Sequence, residues 1–169
     1  MISIRLEKPE DAESIYQLNY SAFGRASEPE LVDRLRDANA LHYSLLAFSN
    51  SELVGYLAFS PVTVHDRDRI TKALGLAPMA VKPTYQRQGI GTRLFNYWLD
   101  NFDLEQHELV FVLGYPKLYL SLGFVPTNVY GIKWEKDVPP EAFMVRELRA
   151  GALNQTKGIV KYHPQFARL

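Results

Sequence analysis

Six residues, QRQGIG (Gln86 to Gly91), carry the plainest chemical signal in the chain. Gly89 and Gly91 stand where an apolar strand, LGLAPMAV (residues 74 to 81), hands over to an amphipathic helix. A strand ending at a helix N-terminus aims unpaired backbone N–H groups at one point, and the helix dipole adds partial positive charge there. Residues without β-carbons at 89 and 91 let a bulky anion reach those amides. The chemistry this suggests is phosphate binding by backbone. The two common glycine-rich signatures, G-x-x-x-x-G-K-[ST] and G-x-G-x-x-G, are both absent. On these six residues alone, a tight turn without any ligand remains open.

That chemistry needs a scaffold, and the whole chain bounds it. A length of 169 residues suits a single domain over residues 1–169. Hydrophobic residues at 47% and charged ones at 22% are an ordinary globular balance. Nineteen basic residues offset nineteen acidic ones, so no global field draws the chain to nucleic acid or an anionic membrane. An anion site must then be local. Cysteine is absent, which excludes disulfides, thiolate nucleophiles and cysteine-ligated zinc. His42, His65, His107 and His163 lack metal-ligand spacing, so no metal is expected. The start, MISIRLEKPEDAES, carries charges where a signal peptide needs an apolar core, and no apolar run approaches the ~20 residues of a membrane span. The expectation is a cytoplasmic protein with no membrane partner.

The positioning elements follow from periodicity. ISIRLE alternates as a strand. Pro9, Glu10, Asp11 and Glu13 open a helix with Ala12, Ile15, Tyr16, Asn19, Ala22 and Phe23 on one face, ended by Gly24. SEPELVDRLRDA opens a second, with Ser27 and Glu30 spaced as a capping box. YSLLAF and LVGYLAFSPVTV form a hairpin across Ser49–Glu52, and HDRDR (residues 65 to 69) reads as the next turn. Pro78 inside LGLAPMAV argues for a bulge or splay. Leu94, Trp98 and Phe102 recur every four residues from Ile90, with Phe95 beside them, as a buried helix face. ELVFVLG is a strand buried on both faces, PKLYLSL a two-turn helix stopped by Gly123, and FMVREL the last strand. The tail, RAGALNQTKGIVKYHPQF, reads as weakly structured or a late hairpin. The order β-α-α-β-β-β-α-β-α-β is one mixed α/β (α+β) domain.

With its turn, the preceding strand LAPMAV and the segment YLSLGF (Tyr119 to Phe124) at matching distances, the sequence resembles the GCN5-related N-acetyltransferase (GNAT) family, most closely a bacterial subgroup of poorly defined substrate. The recognisable core spans about residues 44 to 130. The resemblance implies a mostly antiparallel sheet with a splayed central strand pair, flanked by helices. It also implies acetyl-CoA as co-substrate and transfer of its acetyl group to a primary amine. Gln86 and the amides of Gln88, Gly89, Ile90, Gly91 and Thr92 match the pyrophosphate turn, with the Thr92 hydroxyl, Arg87 and Arg93 assisting. The backbone of Met79 and Val81 would pair with the pantetheine arm as an added strand. ELVFVLG would diverge to make room for the thioester, and Tyr119 matches the tyrosine that protonates the leaving sulfur.

The chain departs from the family in places. Ser121 and Leu122 stand where many members have arginine and phenylalanine, and ALGLAPM carries no acid to act as base. The amine proton then leaves through water to Glu28, Glu30, His65 or Asp66, or the amine arrives neutral. For the acceptor, Glu30 on the second helix and Tyr130, with Trp134, are the candidate contacts. A non-catalytic CoA or acyl-CoA sensor is the alternative; the missing acid favours it and Tyr119 opposes it. A member acting on aminoacyl-tRNA would need a basic face that a neutral chain gives no reason to expect. The partners expected are thus acetyl-CoA and an amine, with no nucleic acid and with a homodimer left open.

Overall fold

Alternating apolar runs and glycine-bounded helices give nine strands and five α-helices in a computed structural model that describes every residue from Met1 to Leu169. They gather in two compact units, Met1–Ser60 with Ala77–Phe102 and Pro164–Leu169, and Pro61–Leu76 with Asp103–His163. The sheet is mostly antiparallel and flanked by helices, as expected.

The first unit starts with β1 (Ile2–Leu6), α1 (Ala12–Phe23), α2 (Ser27–Asp37) and β2 (Tyr43–Ser49). It also takes the near ends of two long strands, β3 (Glu52–Asp66) and β4 (Arg69–Val81), and then α3 (Ile90–Asn101). The hydrogen-bonded order is β1-β2-β3-β4. β2 and β3 pair antiparallel from Ser49↔Glu52, the turn between them using Asn50 at φ 56°. Strand alternation then sorts the side chains. Leu46, Tyr56, Ala58 and Ala80 form a core with Ile15 and Leu18 of α1 and Val32 of α2. On the other face Phe59 stacks on Trp98 of α3, ring centroids 3.9 Å apart, and Gly55 makes room for Ile90 and Leu94. Two helices therefore cover one face and α3 the other.

The helix ends follow sequence chemistry unevenly. Gly24 closes α1 at φ 68° by donating to the Tyr20 carbonyl at 2.8 Å. Within α1 the buried stripe uses Leu18, while Phe23 is exposed. The Ser27–Glu30 capping box does not form: Ala26 flanks the helix, Ser27 is its first residue, and Glu30 is exposed, 3.9 Å from Arg34. Phe102 follows α3 as a half-buried cap, 5.0 Å from the Tyr43 ring, and is not part of a buried stripe.

The second unit holds the far ends of β3 and β4, β5 (Leu109–Leu113), α4 (Pro116–Ser121) and β6 (Val125–Pro126). It continues with β7 (Ile132–Trp134), β8 (Phe143–Glu147), α5 (Ala152–Gln155) and β9 (Gly158–Lys161). HDRDR is a turn only at Arg67–Asp68, since β3 runs through Asp66 and β4 starts at Arg69. β5 is parallel to β4 over Ala73–Gly75 and Leu109–Phe111, and antiparallel to β8 along its length. FMVREL is not the last strand. The tail is ordered: β9 pairs with Thr63–His65 of β3 and with β7. Phe111, Phe143 and Trp134 stack in sequence within this unit's core. No helix is long and apolar enough to cross a membrane.

Candidate active site

In the first unit, β4 ends at Val81 and passes through a short 3-10 turn, Pro83–Tyr85, before the glycine turn. Lys82 donates its N–H to the Val54 carbonyl of β3 at 2.8 Å. Because main-chain groups alternate along a strand, those of Met79 and Val81 point away from β3. One is already used: the Gln86 side-chain amide donates to the Val81 carbonyl at 3.1 Å, tying the turn to the strand end. The Gln88 side chain donates to the Thr84 carbonyl at 3.4 Å and braces the turn from within.

The turn reverses through two left-handed residues, Arg87 at φ 63° and Gly89 at φ 81°. The first bond of α3 is from Arg93 N–H to the Gly89 carbonyl at 3.0 Å. The amides of Ile90, Gly91 and Thr92 precede it and have no intrahelical carbonyl to donate to. The two glycines serve different ends. A β-carbon on Gly89 would meet nothing within 4 Å, so that side of the turn is open. One on Gly91 would stand 2.8 Å from the Met79 sulfur, so Gly91 lets β4 close on the helix. Gln86, Arg87, Gln88 and Gly89 are exposed and Thr92 is half-buried. The result is a row of backbone donors at a helix N-terminus, beside a strand whose outer edge carries Met79 and Val81. Such a row of donors suits a phosphate group.

The second unit holds the phenol. β5 runs into Gly114 and the exposed Tyr115, and α4 carries Tyr119 inward to 7% exposure. Gly114 is what admits it: a β-carbon there would lie 2.6 Å from the ring of Tyr119. The ring meets Phe124 edge-on at 5.6 Å, and the Tyr119 carbonyl accepts from the N–H groups of Leu122 and Phe124, at 3.1 and 3.0 Å. Burial pushes the Tyr119 phenol up to about 12, so it holds its proton through the physiological range. Tyr162 sits close enough to feel its charge and is itself pushed up, first by its own burial. Gly114 was legible only as another glycine where a strand meets a helix.

The other candidates scatter. Tyr130 is half-buried and lines a cavity of about 300 Å³ with Val125, Val145 and Arg146. Trp134 lines another, of about 250 Å³, with Phe143, Val138 and Asn128. His65 Nε2 shares a 2.8 Å hydrogen bond with the Thr63 hydroxyl, and Asp66 ends β3. Glu28, unlike Glu30, is buried at 4% exposure and paired with Arg25. No three His, Cys, Asp or Glu side chains are placed to share a metal ion.

A mostly antiparallel sheet with helices on both faces, and a glycine turn feeding a helix from the end of β4, define an acetyltransferase of the GNAT class. Comparison with known proteins agrees. The acetyltransferase (GNAT) domain family matches residues 3–127, and the chain belongs to that family. It is 35% identical over 166 residues to the Escherichia coli (strain K12) protein named "Uncharacterized N-acetyltransferase YhbS", covering 98% of both chains. The crystal structure of E. coli YhbS in complex with CoA superposes at a TM-score of 0.91, with 34% identity over 99% of this chain and 93% of that one. A Brucella melitensis GNAT family acetyltransferase, in complex with acetyl-CoA, superposes at 0.78 with 29% identity and 98% coverage of each chain. The chain is an acetyltransferase.

Proposed function

We propose that the whole chain, residues 1–169, is one N-acetyltransferase domain that acts in the cytoplasm on a primary amine, with no metal, nucleic acid or membrane partner. Bound acetyl-CoA supplies an activated acetyl thioester, which the amine attacks directly in a ternary complex. The observation that carries the residue roles is the row of amides ahead of the Arg93–Gly89 bond, at the end of β4. The amides of Gln88, Gly89, Ile90, Gly91 and Thr92 hold the pyrophosphate, with Arg87, Arg93 and the Thr92 hydroxyl adding charge and hydrogen bonds, and Gln86 fixing the turn. Met79, and Val81 through its N–H, offer the strand edge to the pantetheine arm. Tyr119 keeps a proton at Oη for the departing sulfur. Glu30 and Tyr130 are assigned to acceptor contact.

The CoA complex of YhbS and the acetyl-CoA complex of the Brucella protein support the donor. Two measurements test it. Acetyl-CoA at 100 times its dissociation constant should stabilise the fold by roughly 2.7 kcal/mol in a thermal melt, and NAD or ATP should do less. A thiol-trapping assay for released CoA against an amine panel should then give turnover. A chain that binds acetyl-CoA and acetylates no amine in a broad panel is a sensor and not an enzyme.

A further inference from the structure

The α1/α2 face of the first unit buries a carboxylate that the roles above leave unused. Glu28, in the first turn of α2, is 4% exposed. Its partner is the Nε of Arg25, which reaches both carboxylate oxygens although the Arg25 side chain is 65% exposed. A buried carboxylate is costly without a counter-charge. Here the counter-charge comes from the solvent side, on a residue just after Gly24, where it can be exchanged.

The path of α2 locates this carboxylate. Arg36 binds Glu7, which follows β1, at 2.6 Å. One turn earlier, Val32 packs with Tyr56, Ala58 and Ala80, on β3 and β4. Another turn earlier is Glu28, on the same face of the helix. The next residues of β3 and β4 on that sheet face are Ser60 and Pro78. The Ser60 hydroxyl is fully buried with no hydrogen-bond partner. Asn19 of α1, in the same layer, donates to the Ile15 carbonyl at 2.9 Å while its own carbonyl oxygen is buried and unpartnered. A carboxylate, a hydroxyl and an amide oxygen are three acceptors. Spread along one layer of the unit, they are the chemistry that a cation with several N–H donors matches.

We infer that Glu28 anchors a cationic group of the acceptor, and that Arg25 is the internal stand-in this cation displaces. This rests on the acetyltransferase reading above. Because the attacking nitrogen must be neutral, the anchored charge is a second one. The acceptor class is therefore a primary amine that also bears an ammonium or guanidinium group.

The test is calorimetric titration of the full chain saturated with CoA, using agmatine (a primary amine with a guanidinium) and n-butylamine (without one). Agmatine should bind more tightly than butylamine. Glu28→Gln should weaken agmatine roughly tenfold or more, the usual scale for a charged hydrogen bond. Arg25→Met should tighten agmatine several-fold, and butylamine should respond to neither change. Equal agmatine affinity in all three chains, or equal shifts for butylamine, overturns the anchor. If the unsubstituted chain does not bind CoA, the acetyltransferase reading fails first. Should Glu28→Gln lose CoA binding through misfolding, the Arg25→Met result decides alone.

Discussion

The Met79 sulfur lies 2.8 Å from where a β-carbon on residue 91 would stand. The strand edge proposed for pantetheine and the turn proposed for pyrophosphate are thus held together by the absence of one methyl group. Gly91→Ala must push the thioether aside. Methionine is adaptable, so the cost should be about 1 kcal/mol, at the low end for overpacking. Adding Met79→Ala should recover most of the lost melting temperature. A double-mutant cycle by thermal denaturation measures this coupling, and strictly additive shifts would show that the contact does not matter.

Gly89 is required by conformation and not by crowding: φ is 81° and nothing lies within 4 Å of its would-be β-carbon. Gly89→Ala and Gly89→Glu carry a similar left-handed backbone penalty, roughly 1–2 kcal/mol. They differ in the charge set beside the helix N-terminus. The glutamate variant should bind CoA at least about tenfold more weakly than the alanine variant at low salt, with the gap closing as salt screens the repulsion. Equal dissociation constants for the two would remove the pyrophosphate from this turn.

Much of this was legible in the sequence where the signal was local. The glycine turn, the period of Leu94 and Trp98, and the Pro116–Gly123 bounds of α4 each depend on residues a few positions apart, and all three held. The failures were non-local. GIVK is four residues beside a glycine, and it becomes β9 because Thr63–His65 lies alongside to pair with it. HDRDR does turn, but only at Arg67–Asp68, because His65 and Asp66 still belong to β3, which pairs there with β9. Ser27 and Glu30 have capping-box spacing, yet α2 begins with Ser27 already inside it. Glu28, the buried acid, was hidden for the same reason: nothing local says which of two nearby glutamates turns inward.

The pH dependence follows from the side chains that can and cannot titrate. Burial disfavours the phenolate of Tyr119 and pushes its pKa up to about 12, above the ordinary 10. The donor is therefore intact throughout the assay range, and its loss as pH rises is expected only toward 12. The attacking amine gains its free base as pH rises. With no acid on β4 beside the turn, kcat/KM should climb between about pH 7 and 9 with no falling limb. A flat profile, measured with an amine that is still protonated in that range, would reveal a tuned internal base.

The decisive substitution is Tyr119→Phe. Gly114 shapes the space for this ring, and Phe124 meets it edge-on, so phenylalanine keeps the packing and deletes only the hydroxyl. A departing thiolate needs a proton, and a buried phenol with a raised pKa is a neutral group able to give one. The change should lower kcat by about ten- to a thousandfold, a size in line with general acid catalysis. CoA affinity and melting temperature should move little, because neither depends on Oη. Tyr115, 84% exposed on the loop before α4, is the control, and Tyr115→Phe should be milder. The measurement is steady-state turnover with the best amine, under conditions where chemistry limits the rate. Full kcat in the Tyr119→Phe chain would assign the proton to water and leave Tyr119 as a structural phenol that fills the space beside Gly114.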